Sequence, residues 1–250
     1  MIELRNIQVT FNAGTPLEHR IFHKFCLRIE AGSFVTLIGG NGAGKSTLMN
    51  VLSGDLIPEK GHVFIDGKDV TRTTAEQRSA WVSRVFQDPI LGSCPSLTLE
   101  ENLALAFLRG QRRGLSFCVN PERRVVFRSL LASLGIGLEK RLKDPIGSLS
   151  GGQRQAVSLL MATLLPAKIL LLDEHTAALD PKMAEKILDL TQKVVMDREI
   201  TVLMITHSMQ QALRFGNRTL LLSHGNIERD FSGPARANLS TDALATLFVV

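Results

Sequence analysis

The 250-residue chain contains no tyrosine, a single tryptophan and only 5% aromatic residues. A surface that stacks nucleic-acid bases needs aromatic side chains among basic ones, so this shortage argues against a nucleic-acid partner despite the net charge of +5. Cysteine is also scarce: Cys26, Cys94 and Cys118 are an odd number, widely spaced and without a C-x-x-C pair. This pattern supports neither a disulfide framework nor a zinc site, and a reducing cytosol is therefore expected.

The sequence also lacks an uninterrupted apolar run long enough to cross a membrane. Its most apolar stretch, residues 158–172, is broken by Pro166 and Lys168 and leads directly into Asp173, which predicts a buried helix followed by a buried strand. The N-terminal segment carries charge early and alternates as a strand does, unlike a signal peptide. We therefore expect any role at a membrane to be exercised from the cytosolic side and through a partner.

Short apolar runs rich in Val, Ile and Leu recur along the chain, and most are continuous, which is typical of strands buried on both faces. These runs cover residues 34–39, 81–87, 169–173, 201–206 and 219–223. Helical patterns fall between several of them, over residues 45–53, 152–165, 182–198 and 209–215. The alternation predicts an α/β fold with a mostly parallel sheet and helices on both faces.

Two parts of the chain depart from this alternation. Residues 1–30 and 61–70 contain alternating segments that indicate half-exposed antiparallel strands, and residues 88–150 are mostly helical in pattern. We therefore expect a single domain over residues 1–250, with an antiparallel β-subdomain, an inserted helical subdomain and the remainder as the α/β core. The length and the hydrophobic fraction of 44% are sufficient for a core of that size.

Residues 39–47, GGNGAGKST, match the phosphate-loop pattern G-x-x-x-x-G-K-[ST] between a predicted strand and a predicted helix. The glycines let backbone N–H groups point at phosphate oxygens, and the helix adds its positive N-terminal end. Lys45 is suited to the β- and γ-phosphates and Ser46 to Mg²⁺, with Thr47 at the α-phosphate. The alternative is a glycine-rich turn that caps a helix. The loop residues expected to bind the nucleotide are Gly39, Asn41, Gly42, Ala43, Gly44, Lys45, Ser46 and Thr47.

Polar side chains follow the predicted strands at their carboxyl ends, the edge at which open α/β sheets bind ligands. Asp173 and Glu174 end one strand, Gln87 ends another and His207 follows a third. Asp173 is suited to hold Mg²⁺, and Glu174 to orient and polarise the attacking water. The alternative for the two carboxylates is a solvated acidic turn.

A second phosphate-binding helix end follows Leu149. Ser150 is a good N-cap, and Gly151 and Gly152 leave backbone N–H groups exposed at the start of the next helix. One nucleotide does not obviously need both helix ends, so the second is suited to a nucleotide held by another copy. An ordinary capped helix is the alternative.

The segment LSGGQRQ (149–155), followed 20 residues after Gln153 by Asp173, resembles the signature and Walker B motifs of ABC ATPases. The further motifs, in the family's order, are the phosphate loop (Walker A), VFQDP (85–89), ALD (178–180) and ITHSM (205–209). The resemblance covers about residues 1–230. It implies a P-loop NTPase core, ATP hydrolysis and a head-to-tail homodimer around two MgATP. Each nucleotide would lie between the Walker A loop of one copy and the signature motif of the other.

The resemblance also implies roles for individual residues. Those that would complete the partner's γ-phosphate site are Ser150, Gly151, Gly152 and Gln153. Asp180 would act across the dimer, and His207 would hold the γ-phosphate. Gln87 would contact the metal and the water and couple to a membrane partner. Phe11 lies where the family places an aromatic ring against adenine, with a core position in its strand as the alternative.

The chain departs from the family's frequent pattern at three positions. His175 stands where Pro is common, Ala177 where Ser is common and Gly40 where Pro or Ser is common. None of these changes removes a phosphate ligand, so hydrolysis is expected to persist. A charged His175 would tune Glu174, but we expect a histidine at the surface or at an interface.

A basic cluster lies within the helical insertion. Its members are Arg109, Arg112, Arg113, Arg123 and Arg124. The expectations for it are a solvated loop or a face toward lipid headgroups or an acidic partner.

Two functions remain open. The first is an ATPase subunit, peripheral at the cytoplasmic face of the inner or plasma membrane, that powers a separate permease for a small solute. Residues 85–110 and 170–181 are similar to those of amino-acid-type importers, which implies an extracytoplasmic substrate-binding protein. The second is a soluble ABC ATPase of iron–sulfur assembly, DNA repair or translation, although the sequence has neither heptad runs nor a second Walker A motif. A P-loop kinase or GTPase would leave LSGGQRQ unexplained.

Overall fold

The computed structural model describes residues 1–111, 117–198 and 200–247, so Arg112 and Arg113 lie outside the described residues. The strands are β1 (Ile2–Phe11), β2 (His19–Ile29), β3 (Phe34–Gly39), β4 (Lys60–Ile65), β5 (Lys68–Asp69), β6 (Val82–Val85), β7 (Ile169–Asp173), β8 (Thr201–Ile205), β9 (Arg218–Ser223) and β10 (Asn226–Ser232). The helices are α1 (Lys45–Ser53), α2 (Ala75–Arg78), α3 (Leu99–Phe107), α4 (Pro121–Ser133), α5 (Gly151–Thr163), α6 (Pro181–Arg198), α7 (Met209–Arg214), α8 (Gly233–Ala237) and α9 (Thr241–Thr246).

The chain forms two compact units. Unit 1 comprises residues 1–78 and the described part of 199–250, and unit 2 comprises the described part of 79–198. The boundaries that the sequence predicts for the antiparallel β-subdomain and for the helical subdomain stay predictions.

Unit 1 contains an antiparallel sheet in the order β2-β1-β4-β5. In β1, Ile2, Leu4, Ile7 and Val9 are buried, which places the apolar side chains of an alternating segment on the core face. Ile2 is in register with Ile29 of β2 on one side and with a residue of β4 on the other. The antiparallel β-subdomain predicted for the start of the chain is therefore present.

Unit 1 also contains the parallel strands that precede the phosphate loop and ITHSM. Strand β3 is buried along its whole length and pairs in parallel with β8 and β9, while β10 pairs antiparallel with β9. Helix α1 follows β3 and ends at Gly54, whose φ of 86° is the left-handed conformation that glycine adopts at little cost. The residue bounds of β3 and α1 are those predicted from the sequence.

A buried arginine holds the C-terminal end of α1. Arg78 is fully buried, and its guanidinium donates to the carbonyl oxygens of Val51 and Leu52, in the last turn of α1. It also donates to the carbonyl oxygens of Val70 and Thr71. The positive charge thus lies at the negative end of the helix, where it both satisfies orphan carbonyls and interacts favourably with the helix dipole.

Unit 2 contains the parallel pair β6 and β7 and the helices α3 to α6. Helices α3 and α5 both begin with a capping box, formed by Thr98 with Glu101 and by Ser150 with Gln153. Gln155 of α5 is buried and donates from Nε2 to the carbonyl oxygen of Phe86, 3.2 Å away, immediately before Gln87. Helix α5 therefore fixes the end of β6.

The described arginines of the basic cluster serve the packing of unit 2. Arg109 donates to the carbonyl oxygens of Ala162 and Leu165 at the end of α5, and Arg124 pairs with Glu100 at 2.6 Å. Another member, Arg123, donates to a backbone carbonyl and lies over the ring of Phe107. The guanidinium groups of these three residues therefore have intramolecular partners, while the Arg124 side chain is still 41% exposed. The expectation of a solvated loop, or of a face toward lipid headgroups or an acidic partner, stays a prediction.

Candidate functional site

The loop between β3 and α1 has the features of an anion cradle. Gly42 and Gly44 have φ values of 78° and 106°, which residues with a Cβ adopt rarely. A Cβ added at Gly40 or Gly42 would meet no protein atom within 4 Å, so the loop leaves room beside its backbone. Among the described residues, no side chain caps α1 and none in its first turn is acidic, so its positive end is available to an anion.

The lysine and hydroxyls of this loop are differently exposed. Lys45 is buried, and its Nζ donates to the carbonyl oxygens of Gly39 and Gly40 at 2.8 and 3.0 Å. Ser46 is exposed, whereas Thr47 is buried. The ammonium group is therefore held within the loop, and the Ser46 hydroxyl is accessible at the start of α1.

Unit 1 also carries Phe11 and His207. Phe11 ends β1 and is 40% exposed, so the alternative of a core position in the strand is wrong. His207 is exposed and lies between two residues that anchor the start of α7. Thr206 Oγ1 donates to Gln211 Oε1 at 2.8 Å, and Ser208 Oγ accepts from the backbone N–H of the same glutamine. The backbone on both sides of the imidazole is thus fixed by hydrogen bonds.

In unit 2, Asp173 ends β7 and Glu174 follows in the left-handed region with a φ of 46°. A non-glycine residue rarely adopts this conformation, and such strain is typical of functional turns. Asp173 Oδ2 accepts from Nη2 of Arg84 at 2.6 Å. None of the sequence motifs indicates Arg84, whose signal is a single charge within the mainly apolar run that forms β6. Gln87 lies exposed just beyond the end of β6.

The histidine after Glu174 is buried. His175 is 2% exposed, and its Nε2 lies 3.4 Å from Thr191 Oγ1 on α6. Burial disfavours the charged imidazolium and lowers the pKa of His175 to about 4. The expectation of a histidine at the surface or at an interface is therefore wrong, and this side chain is neutral at physiological pH.

The signature segment begins α5. Ser150 Oγ accepts from the backbone N–H of Gln153, and Gln153 Oε1 accepts from that of Ser150. A Cβ added at Gly151 would meet no protein atom within 4 Å, whereas one at Gly152 would lie 2.5 Å from Met183 Cγ. The capped helix is therefore present, and its first turn is open at Gly151.

Asp180 lies immediately before α6, as Ser150 lies immediately before α5. Its Oδ1 accepts from the backbone N–H of Met183 at 3.0 Å, which is the bond of an N-cap aspartate. The same methionine packs against Gly152. Asp180 and the signature helix are therefore linked within unit 2 through Met183.

Comparison with known proteins places the chain in a family. Residues 22–177 match the family model described as ABC transporter. The chain belongs to the ABC transporter family. This ABC ATPase is 40% identical over 248 residues to a tyrosine transport ATP-binding protein of Clostridioides difficile (strain R20291), covering 99% of this chain and 98% of the relative. It is 38% identical over 213 residues to the thiamine import ATP-binding protein ThiQ of Yersinia pestis, covering 85% of this chain and 84% of the relative.

Solved structures agree with this assignment. The dimeric ATP-binding cassette MJ0796, in a post-hydrolysis state bound to ADP and Pi, matches with a TM-score of 0.79 and 31% identity. The match covers 93% of this chain and 98% of that structure. The predicted ABC ATPase fold, ATP binding and ATP hydrolysis are thereby confirmed. Within the described ranges, no helix of the ATPase has the length and apolarity needed to cross a membrane.

Proposed function

We propose that this ABC ATPase powers the uptake of a small solute of the amino-acid type through a separate membrane permease. The observation that carries this proposal is the end-to-end similarity to a tyrosine transport ATP-binding protein, which extends over 99% of this chain. The similarity to a thiamine import protein also supports uptake rather than export. In this proposal the ATPase works at the cytoplasmic face of the membrane, and an extracytoplasmic binding protein delivers the solute.

The donor groups fit Mg²⁺ as the metal that accompanies ATP. Ser46, Asp173 and Gln87 offer a hydroxyl, a carboxylate and an amide oxygen, the hard oxygen ligands that this ion prefers. The described ranges contain no group of three or more His, Cys, Asp or Glu side chains that would form an all-protein cage. Mg²⁺ is usually held by one or two carboxylates together with substrate phosphates and water. When bound, it neutralises charge on the β- and γ-phosphates.

The chain's own residues account for the remaining steps. Lys45 and the backbone N–H groups of the phosphate loop bind the β- and γ-phosphates, and the ring of Phe11 stacks on adenine. Glu174 accepts a hydrogen bond from the attacking water and polarises it, and His207 donates to the γ-phosphate. Gln87 would contact the metal and the water and couple this site to the permease. The strained backbone at Glu174 supports its role, because it directs this side chain away from the ordinary path of a strand.

We further propose that two copies assemble head to tail, with the signature motif of each copy completing the nucleotide site of the other. The open first turn of α5 supports this arrangement, since Gly151 leaves backbone N–H groups accessible to a phosphate. The positive end of a helix without an acidic residue in its first turn attracts an anion, and α5 has this property. The dimeric state of the similar cassette supports two copies.

The transport proposal is tested with the assembled complex. The tagged chain is purified from membranes of its native cell, its membrane partners are identified by mass spectrometry, and the complex is reconstituted in proteoliposomes. We expect ATP-dependent uptake of radiolabelled tyrosine that unlabelled phenylalanine or tryptophan reduces and thiamine does not. The same complex with Lys45→Ala should assemble but not transport.

Two results would contradict the proposal. Inhibition of the uptake by thiamine, and not by phenylalanine or tryptophan, would mean that the solute belongs to another chemical class. Purification of a homodimer without any membrane protein would favour a soluble ABC ATPase, while leaving the nucleotide site as described.

A further inference from the structure

Arg84 lies against the carboxylate that we assign to the metal. It is on β6, in register with Leu171 of the neighbouring parallel strand β7, and its guanidinium reaches Asp173 at the end of that strand. The distance from Arg84 Nη2 to Asp173 Oδ2 is 2.6 Å, and the two side chains are only 11% and 14% exposed. This is a charge-assisted bond in a setting that water screens poorly.

The guanidinium is also held in place by an aromatic ring. Its central carbon lies 4.6 Å from the centroid of the Phe86 ring, a cation–π distance. The backbone carbonyl of Phe86 is in turn anchored by Gln155 of α5. The arginine is therefore also supported by the residue that follows its strand, and it does not depend on Asp173 alone for its position.

We propose that Arg84 sets the Mg²⁺ requirement of this ATPase, by neutralising Asp173 in the metal-free protein and lowering the affinity of this carboxylate for the metal. The inference rests on the proposed metal role of Asp173. A guanidinium and a divalent cation compete for the negative charge of one carboxylate, and the two cations repel each other. The pair therefore stabilises the metal-free state and weakens metal binding by the same interaction, because the two effects are linked.

In this proposal, Arg84 makes ATP binding depend on the concentration of free Mg²⁺. ATP would be retained only when free Mg²⁺ is high enough to compete with the guanidinium. A neutral side chain at the same place would leave Asp173 fully available to the metal. Because Phe86 supports the arginine independently, the guanidinium stays near the metal and its repulsion persists after the metal has bound.

The test measures nucleotide binding as a function of free Mg²⁺. Binding of radiolabelled adenylyl imidodiphosphate, which is not hydrolysed, is followed by equilibrium dialysis of the purified chain. For Arg84→Gln we expect half-maximal binding at a free Mg²⁺ concentration about tenfold lower than for the wild type. The Mg²⁺–nucleotide equilibrium in solution is common to all variants, so the difference between variants reports the site. The metal-free, nucleotide-free variant should also have a lower Tm.

Three further variants keep the result interpretable. Arg84→Lys retains the charge and should stay near the wild-type Mg²⁺ dependence. Arg84→Met retains length and apolar packing on Phe86, and it replaces Arg84→Gln as the uncharged variant if Arg84→Gln folds poorly. It should show the same lower Mg²⁺ requirement. Arg124→Gln breaks another short arginine–carboxylate bond of unit 2, to Glu100, and should leave the Mg²⁺ dependence unchanged.

The Asp173→Asn variant separates the proposed metal role of Asp173 from the proposed role of Arg84. If it keeps the wild-type Mg²⁺ dependence, the proposed metal role of Asp173 fails. If it raises the Mg²⁺ requirement while Arg84→Gln and Arg84→Met do not lower it, only the role of Arg84 is overturned. A higher Mg²⁺ requirement in the Arg84 variants would also overturn it, since it would show that the arginine orients Asp173 for the metal. In an Asp173→Asn background, Arg84→Gln should lower the Mg²⁺ requirement by less than in the wild type, because the competition for the carboxylate is gone and only the repulsion between the two cations is relieved.

Discussion

At the scale of single residues, the burial of His175 makes the stability of the protein depend on pH. The pKa of this imidazole is lowered to about 4 in the folded chain from an unperturbed 6.5. Between these values the unfolded state binds a proton that the folded state does not, so the free energy of unfolding falls as the pH is lowered. The loss is about 3 kcal/mol by pH 4 and ceases below it.

Urea unfolding of the metal-free, nucleotide-free chain between pH 7 and pH 4 checks this prediction. His175→Phe should remove this part of the pH dependence, although its stability at pH 7 also changes through the lost contact with Thr191. His62→Gln, at an exposed histidine paired with Asp69, should keep it. Equal pH slopes in the wild type and His175→Phe would contradict the assignment, because other titrating groups are common to both proteins.

Residues that act through local motifs could be predicted, and those that act through distant partners could not. The phosphate loop was identifiable because Gly39 to Thr47 are contiguous and lie between a strand and a helix. The partners of Arg84 and His175 are 89 and 16 positions away in sequence, so nothing local indicates them. Burial of His175 was missed for a related reason, since a histidine after two carboxylates looks solvated in sequence.

At the scale of elements, the clamp on α1 by Arg78 is the clearest stabilising device. Replacing Arg78 by Met removes the guanidinium hydrogen bonds to the carbonyl oxygens of Val51 and Leu52 in α1 and of Val70 and Thr71 after β5. Buried carbonyls that lose their partners are costly, so we expect a loss of about 3 kcal/mol in the free energy of unfolding. Urea denaturation at pH 7 measures it, with the exposed Arg72→Met as the matched control.

If Arg78→Met lowers the free energy of unfolding by less than about 1 kcal/mol, water replaces the guanidinium at these carbonyl oxygens. Because α1 carries the phosphate loop at its other end, nucleotide affinity of the folded variant should fall much less than its stability.

The bounds of helices and strands could be predicted where the hydrophobic periodicity agrees with residues that begin or end such elements. Helix α1 runs from Lys45 to Ser53 as predicted, since a phosphate loop precedes it and Gly54 follows it. Strand β6 covers Val82–Val85 and is shorter than the predicted 81–87, because the apolar run continues into the turn that carries Gln87. A mostly helical pattern was predicted for residues 88–150, but the contacts of its arginines with a helix end and with Glu100 depend on tertiary packing that the sequence pattern does not contain.

At the scale of the whole molecule, function requires more than one copy in the arrangement that we propose. The Walker A loop is complete in unit 1, and the signature helix presents an open first turn in unit 2. Two single substitutions, one in the Walker A loop and one in the signature helix, therefore distinguish a head-to-tail dimer from a site built within one chain. Lys45→Ala removes the ammonium held by Gly39 and Gly40, and Gly151→Asp places a negative charge at the open helix end. Each variant alone should be inactive as an ATPase, the first because it binds ATP poorly and the second because its dimer cannot close on a phosphate.

Mixing the two inactive variants tests the head-to-tail arrangement directly. In a mixed dimer one nucleotide site receives both defects, and the other combines the intact Walker A loop of one copy with the intact signature of its partner. Equimolar mixing should therefore restore about a quarter of wild-type ATPase activity, since half of randomly paired dimers are mixed and each has one intact site of two. If each site were built from one chain alone, every site in the mixture would carry a defect and activity would stay at the level of the single variants. Mixing Lys45→Ala with Glu174→Gln is the matched control, because these two residues are proposed to serve the same site of one copy, and it should restore nothing.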